Sequence, residues 1–303
     1  MTQLRGLLPI LATPFHSDGS LDLESLSRLV EFEVAAGADG VATFGLASET
    51  FALDTSERQQ ILETVVATLR RVAPQLTVVA GVAATGYAPA REQALQAVDA
   101  GAKVLMVLPP FLVPSPADQL AEFYGSLAAD SGVPIMVQDA PATTGVTMSI
   151  PVIAELAQLP GVEYIKIEAQ PTAVKIALVV AAISTTMTVF GGQNSQFLLE
   201  ELERGAVGTM PACEFTDLLA QILAARQRGE HDAALEQFNR LLPLLVYGLQ
   251  NGIAWAVHKE VLVRRGIISD SRVRAPGVPL DKASREGLHR LLRYFEGRPG
   301  WRR

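Results

Sequence analysis

Short runs of β-forming residues alternate along this chain with longer stretches whose apolar positions recur at helical spacing. The strand candidates are "LLPILATPF", "GVATFG", "LTVVAGV", "KVLMVLPP", "VPIMVQDA", "VEYIKIE", "MTVFGG" and "AVGTMPAC". Between them lie amphipathic stretches such as "DLESLSRLVEFEVAAG", where Leu23, Leu26, Leu29, Val30 and Val34 share one face. "DTSERQQILETVVATLRRV" opens on an Asp or Thr cap with a glutamate soon after, as a helix start does. Eight such units without a long linker predict a (β/α)8 TIM barrel in the α/β class. A doubly wound sheet is the alternative, but "GVAATG" is not GxGxxG and precedes no acidic ribose ligand. Beyond the eighth strand, Phe215 to Ile267 reads as further helices and Asp281 to Glu296 as a last one. Residues 1–214 are therefore expected to form the barrel strands and helices. Residues 215–303 are expected to add the last barrel helix and a C-terminal helical extension within the same domain.

One strand candidate carries a lysine. In "GVEYIKIEAQ" the neighbours Val162, Tyr164, Ile165 and Ile167 favour a strand, and a single exposed lysine on a half-buried strand would be unremarked. A barrel strand, however, is covered on both faces. Period-2 alternation puts Tyr164, Lys166 and Glu168 on one face and the branched Ile165 and Ile167 on the other, which suits the helix layer. Lys166 should then point into the barrel, away from bulk water, where its amine is expected to lose its proton more readily than a free one. A neutral amine attacks a ketone to form a Schiff base. The structural alternative is a core salt bridge with Glu168 or another inward carboxylate.

Composition narrows the partners. Of 303 residues, 49% are hydrophobic and only 19% charged, enough for a large core and too little for a disordered tail. The net charge of −7, with both signs mixed along the chain, argues against nucleic acid, and the basic end "GRPGWRR" is too short to change that. The single cysteine, Cys213, rules out an intrachain disulfide framework and suits a reducing cytoplasm. The start, "MTQLRGLLPILATPF", contains two prolines and no small-residue cleavage site, against a signal peptide. The apolar run "KIALVVAAIS" is about half of the ~20 residues a membrane span needs.

Taken in order, the motifs resemble the dihydrodipicolinate synthase/N-acetylneuraminate lyase family of class I Schiff-base barrels over nearly the whole chain. "LPILATPF" is similar to the first-strand motif, "GLASETFAL" to that at the end of strand two, and "VLPPF" with "PS" to the fourth. "YIKIE" resembles the lysine strand, "FGGQNS" the glycine turn after strand seven, and "WAVHKEVLVRRGIISDSRVRAPGVPL" the C-terminal helix and proline-rich turn. The resemblance implies that Lys166 is the Schiff-base lysine, that no cofactor is needed beyond that covalent adduct, and that the protein is a homotetramer acting on a small 2-keto acid. It places Thr13, Ala47, Ser48, Asp139, Thr143, Gly191 and Gly192 about the substrate.

The departures are informative. Synthases and lyases of the family have Gly-Thr-Thr-Gly-Glu where this chain has Gly45, Leu46, Ala47, Ser48 and Glu49, so both carboxylate-binding threonines are gone. Their proton-relaying tyrosine is Gln138 here, their arginine is Thr143, and the tyrosine near the end of strand four is Phe111. A lysine-pathway synthase is thereby placed in doubt. "IMVQDAP", "GLASETFAL" and "YIKIE" look most like the 2-keto-3-deoxy-sugar-acid dehydratases, especially the L-arabonate type. Gln138 can orient a hydroxyl but cannot act as a base, because an amide does not titrate usefully. Acid or base work therefore falls to Glu49, Asp139, Glu168, a water or the substrate's own carboxylate. Ser48 is the candidate for holding the carboxylate, with a helix N-cap as its structural alternative.

Other chemistries find less support. His16, His231, His258 and His289 show no HxxxH or HExxH spacing, and most read as helical surface, so no metal is expected. GxSxG is absent. Cys213 ends the eighth strand and is read as buried rather than catalytic. Three other activities stay open: a pyruvate-releasing aldolase, a cyclic imino acid deaminase, and a barrel that binds a keto acid without turning it over.

Overall fold

The computed structural model describes residues 4–113, 115–183, 187–297 and 301. Pro114 of the fourth-strand motif, most of the basic end and the first three residues lie outside that set. Eight strands form the frame: β1 (Gly6–Leu7), β2 (Gly40–Thr43), β3 (Thr77–Val82), β4 (Val104–Val107), β5 (Ile135–Asp139), β6 (Val162–Ile167), β7 (Thr188–Gly191) and β8 (Gly208–Thr209). All pair in parallel, in the order β1-β8-β7-β6-β5-β4-β3-β2. Ile10 closes the ring, bridging Ala42 on β2 and Ala212 just beyond β8. This is the (β/α)8 barrel that the hydrophobic pattern predicts.

The first strand differs from the continuous run expected over "LLPILATPF". Its ladder comes in two pieces, β1 and the Ile10 bridge, because Pro9 between them has no N–H to donate. The Pro9 carbonyl still accepts from Ala42 N at 2.9 Å, and Ile10 N donates to Pro211 O at 2.7 Å, so closure survives the interruption.

Alternation along the strands sorts side chains into two layers. Leu8, Ile10, Val79, Met106, Met136, Tyr164, Phe190 and Met210 fill the barrel, while Val41, Leu105, Val107, Val137, Ile165 and Ile167 pack under the helices. Burying Ile165 and Ile167 is worth about 1.5–3 kcal/mol each. A slip of one residue would turn both away from the helices and push Lys166 among them, so the register of β6 is firmly set. Helix starts follow their caps: Asp22 accepts from Ser25 N at 2.8 Å, and Asp54 forms a capping box with Glu57.

The C-terminal helices Thr216–Gln227, His231–Tyr247, Ala254–Arg264 and Lys282–Leu292 surround a further apolar cluster that includes Leu7 of β1. The C-terminal helices and the connection before the last of them also grip the loop after β2. Lys259 pairs with the buried carboxylate of Glu49, Arg274 N donates to Glu49 at 2.9 Å, and Trp255 Nε1 donates to Leu46 O at 2.7 Å. The Arg274 guanidinium meets both oxygens of Glu57, at 2.6 and 2.7 Å. His258, unlike the surface histidines expected, is buried with Nδ1 2.8 Å from Glu214.

Candidate active site

At the carboxyl end of the barrel, β5, β6 and β7 set Gln138, Lys166 and Phe190 side by side in register. Lys166 points inward as alternation requires and is only 2% exposed. Its Nζ lies 3.4 Å from Glu168 Oε1, two residues further along the same face. Inward lysine and core ion pair, posed as alternatives, thus occur together. Gln138 Nε2 donates to Glu168 Oε2 at 2.6 Å. A carboxylate only accepts, so this bond fixes which end of the amide faces it and leaves the amide oxygen as an acceptor. Gln193 completes the set: its backbone N–H donates to Glu168 Oε1 at 3.4 Å and its Nε2 to the Glu168 carbonyl at 3.1 Å. Glu168 is therefore the hub of the site, touching Lys166, Gln138 and Gln193.

Backbone strain concentrates in the loops after β2 and β7. Among the described residues, the non-glycine residues with positive φ are Phe44 and Glu49 after β2 and Gln193, Asn194 and Ser195 after β7. Each costs of order 1–3 kcal/mol and persists only where surrounding bonds impose it. Asn194 is held at both ends, donating to Leu245 O and accepting from Ala212 N, each at 3.0 Å.

The other candidates fall in three places. Thr13 and Ser48 tie the two loops together: Thr13 Oγ1 donates to Ser48 O and Ser48 Oγ to Leu11 O, both at 2.6 Å. Both hydroxyl protons are thus engaged with backbone carbonyls. Ser48 ends the short 3-10 turn Leu46–Ser48 and caps no helix, which corrects the N-cap alternative. Ala47, half-buried, packs against the barrel-interior cluster. Glu49 is fully buried but engaged with Lys259 and Arg274 rather than with Lys166.

Asp139, next to Gln138 on β5, shares the outer face with Val137. Its carboxylate meets Lys175 Nζ at 2.5 Å, and burial pushes its pKa up against that pairing. The structure does not bring it to Lys166. Thr143 is exposed on the short helix Pro141–Thr144 above β5. Cys213 is buried among the helix-layer residues, accepting from Ala12 N at 3.3 Å, and burial raises its thiol pKa well above the usual value. Among the described residues, no group of three or more His, Cys, Asp or Glu side chains could hold a metal ion.

Gly191 and Gly192 have a clear steric purpose. A Cβ on Gly192 would strike the Glu168 side chain, and one on Gly191 would strike the carboxyl of Glu201. Glu201, like Gln193, is a residue that sequence reasoning missed. It sits in the helix Leu198–Glu203, is 1% exposed, and accepts from Thr172 Oγ1 at 2.5 Å. Desolvation, opposed by the Thr172 bond, pushes its pKa to about 7. "FLLEELERG" reads as a charged helix surface. The one available signal is that Glu201 stands three residues after the buried Leu198, on the same helix face.

This geometry can be set beside known proteins. Over 298 residues the chain is 32% identical to L-2-keto-3-deoxyarabonate dehydratase of Azospirillum brasilense, covering 96% of this chain and 94% of that protein. It is 28% identical to 4-hydroxy-tetrahydrodipicolinate synthase of Xanthomonas campestris pv. campestris, over 95% of this chain and 93% of that one. The crystal structure of dihydrodipicolinate synthase from Rhodopseudomonas palustris superposes with a TM-score of 0.89 at 31% identity, covering 96% of this chain and 97% of that one. The model of the dihydrodipicolinate synthetase family matches residues 3–294. With a barrel that carries an inward lysine on its sixth strand, the chain belongs to the dihydrodipicolinate synthetase family, a family of lyases.

Proposed function

We propose that the protein is a Schiff-base lyase that dehydrates a 2-keto-3-deoxy sugar acid through Lys166. The observation that carries this reading is the set of three around one carboxylate: Lys166 at 3.4 Å, Gln138 at 2.6 Å and the Gln193 backbone at 3.4 Å from Glu168. The Lys166 amine adds to the C2 ketone and water leaves, giving an iminium. The iminium draws electrons from the C3–H bond, and Glu168 takes that proton. The enamine then expels the C4 hydroxyl, which departs as water with a returned proton. Hydrolysis of the remaining imine frees the lysine, so the net change is loss of one water.

The replacements at the site support dehydration over condensation. Where the synthases resembled here carry a phenol and an arginine, this chain has Gln138, which titrates nothing, and the exposed Thr143. The substrate carboxylate is assigned to the backbone of the Ala47–Ser48 turn, since the Ser48 hydroxyl proton is already engaged. The similarity to L-2-keto-3-deoxyarabonate dehydratase supports the same substrate class.

The test is reductive trapping with pyruvate and with a 2-keto-3-deoxy pentonate, followed by peptide mapping and product analysis. A label on Lys166, its loss in Lys166→Ala, and water loss without pyruvate release are the expected results. A label on Lys103 or Lys175 would remove Lys166 from its role. Pyruvate or ammonia release would turn the assignment to an aldolase or a deaminase. Binding without turnover would make the protein a keto-acid sensor.

A further inference from the structure

Glu168 and Glu201 approach the Gly191–Gly192 step separately, each occupying the space that a Cβ on one of the two glycines would need. Their hydrogen-bond partners are very unequal. Glu168 accepts from Gln138 and Gln193 and pairs with Lys166. Glu201 accepts from one hydroxyl, that of Thr172, while its Oε2 is buried with no hydrogen-bond partner. Among the described residues, the charges that act on Glu201 are those of Glu168 just past β6, of Glu200 on its own helix and, more weakly, of Lys166 on β6. The facing point of β7 is the side-chain-free Gly191, and the helix Thr172–Ile183 contributes the Thr172 hydroxyl. The donors that stabilise an anion are thus gathered on Glu168 and not on Glu201.

We infer that Glu201 is a positioning residue that carries a proton in the resting protein and, when it loses that proton, restrains Lys166 from becoming the neutral nucleophile. The inference rests on the Schiff-base reading of Lys166. While Glu201 is neutral, Lys166 faces one buried negative charge, that of Glu168. Its ionisation adds a second, which favours the ammonium form of Lys166 and lowers the fraction of free amine. The pKa of about 7 puts this change within the neutral range.

The experiment is the rate of cyanoborohydride trapping with pyruvate from about pH 5.5 to about pH 9, in wild type and Glu201→Gln. Glutamine keeps an acceptor for Thr172 but cannot ionise. The two rates should agree within about twofold at the acid end, with Glu201→Gln roughly three- to tenfold faster at the alkaline end. A ratio that stays constant across the range, or a slower Glu201→Gln at high pH, would overturn the inference. Thr172→Val removes the donor that favours ionised Glu201 and should move the bend in the profile to higher pH; an unmoved bend counts against it. Infrared difference spectra supply a readout independent of trapping. Wild type should lose a carboxylic-acid carbonyl band as pH rises through neutrality, and the band should be missing in Glu201→Gln. No such band at about pH 5.5 would end the proposal. If wild type traps no adduct at any pH, the Schiff-base reading fails, and the infrared band alone decides whether Glu201 holds a proton.

Discussion

Lys166 on β6 and Glu168 just past its end stand two positions apart, and that spacing does much of the chemistry's arranging. Alternation makes their shared inward face legible in the sequence, and the same rule turns Asp139 outward beside Val137. What alternation cannot supply is the cross-strand bond from Gln138 to Glu168, or the inward turn of Glu201, which depends on how its helix rolls onto β7. Gln138→Ala removes a 2.6 Å bond to the proposed base. If that bond strengthens in the transition state, its loss costs a few kcal/mol, so turnover should fall roughly a hundredfold while trapping of the Lys166 adduct persists. Near-native turnover would show that the glutamine only fills space. Gln138→Tyr should also lose the native reaction and gain little aldolase activity, since the larger side chain takes the space the amide leaves open. Glu201 makes a thermodynamic prediction of its own. Its pKa is raised from 4.5 to about 7 in the fold, so the unfolded chain releases this proton first and stability declines as pH rises between those values. The cost at alkaline pH is of order 3 kcal/mol before the surroundings relax. Glu201→Gln should therefore raise Tm relative to wild type at about pH 8 and do so much less at about pH 5. An equal difference at both would mean that the carboxyl titrates normally.

The loops after β2 and β7 hold the positive-φ residues that glycine would occupy at less cost. None of this strain is visible in the sequence, because Phe44, Glu49, Gln193 and Ser195 are side chains that ordinary extended or helical backbone carries as well. The strands themselves are legible from β-propensity and alternation, and the start of the helix Thr55–Val72 from its Asp54 cap. The shortness of β1 traces to Pro9, a visible residue whose missing N–H the strand pattern alone does not weigh. Gln193 offers a test of whether the strain serves the site. Gln193→Gly relieves a left-handed residue at φ 49° but adds conformational freedom to the unfolded chain, two effects of about 1 kcal/mol that oppose each other. Glycine keeps the backbone N–H to Glu168 and loses the side-chain bond to the Glu168 carbonyl. Stability by urea titration should hence change by less than about 1 kcal/mol, while kcat drops several-fold because Glu168 is held less firmly. A large loss of stability would mean that Gln193 serves the fold first.

At the scale of the whole molecule, the C-terminal helices and the barrel are joined by buried charge. Lys259 reaches Glu49 in the loop after β2, and Arg265 reaches the Glu214 carbonyl beyond β8. Among the described residues no helix is long and apolar enough to cross a membrane, yet the helix Thr172–Ile183 is apolar on nearly every side. Ile176, Val179 and Ile183 face the core, and its single charge, Lys175, pairs with Asp139. On the outer side Val174 is 43% exposed and Leu178 53%, with Phe197 nearby in sequence to β7 at 39%. A helix that is hydrophobic all round is ordinarily covered. A second apolar pair, Leu112 and Val113, each 74% exposed, lies in the loop after β4. Two separate apolar surfaces, each used isologously, generate a tetramer of paired dimers, the commonest closed form after the dimer. In the homotetramer that the family resemblance implies, the Val174–Leu178 surface is expected to form one of the two contacts. Leu178→Lys places a charge at its centre without touching Lys166, Gln138 or Glu168. Light scattering should show wild type as a tetramer and the variant as a dimer, with trapping at Lys166 retained. A wild-type monomer at working concentration would sink the assembly, and a tetramer unchanged by Leu178→Lys would move the contact to another face.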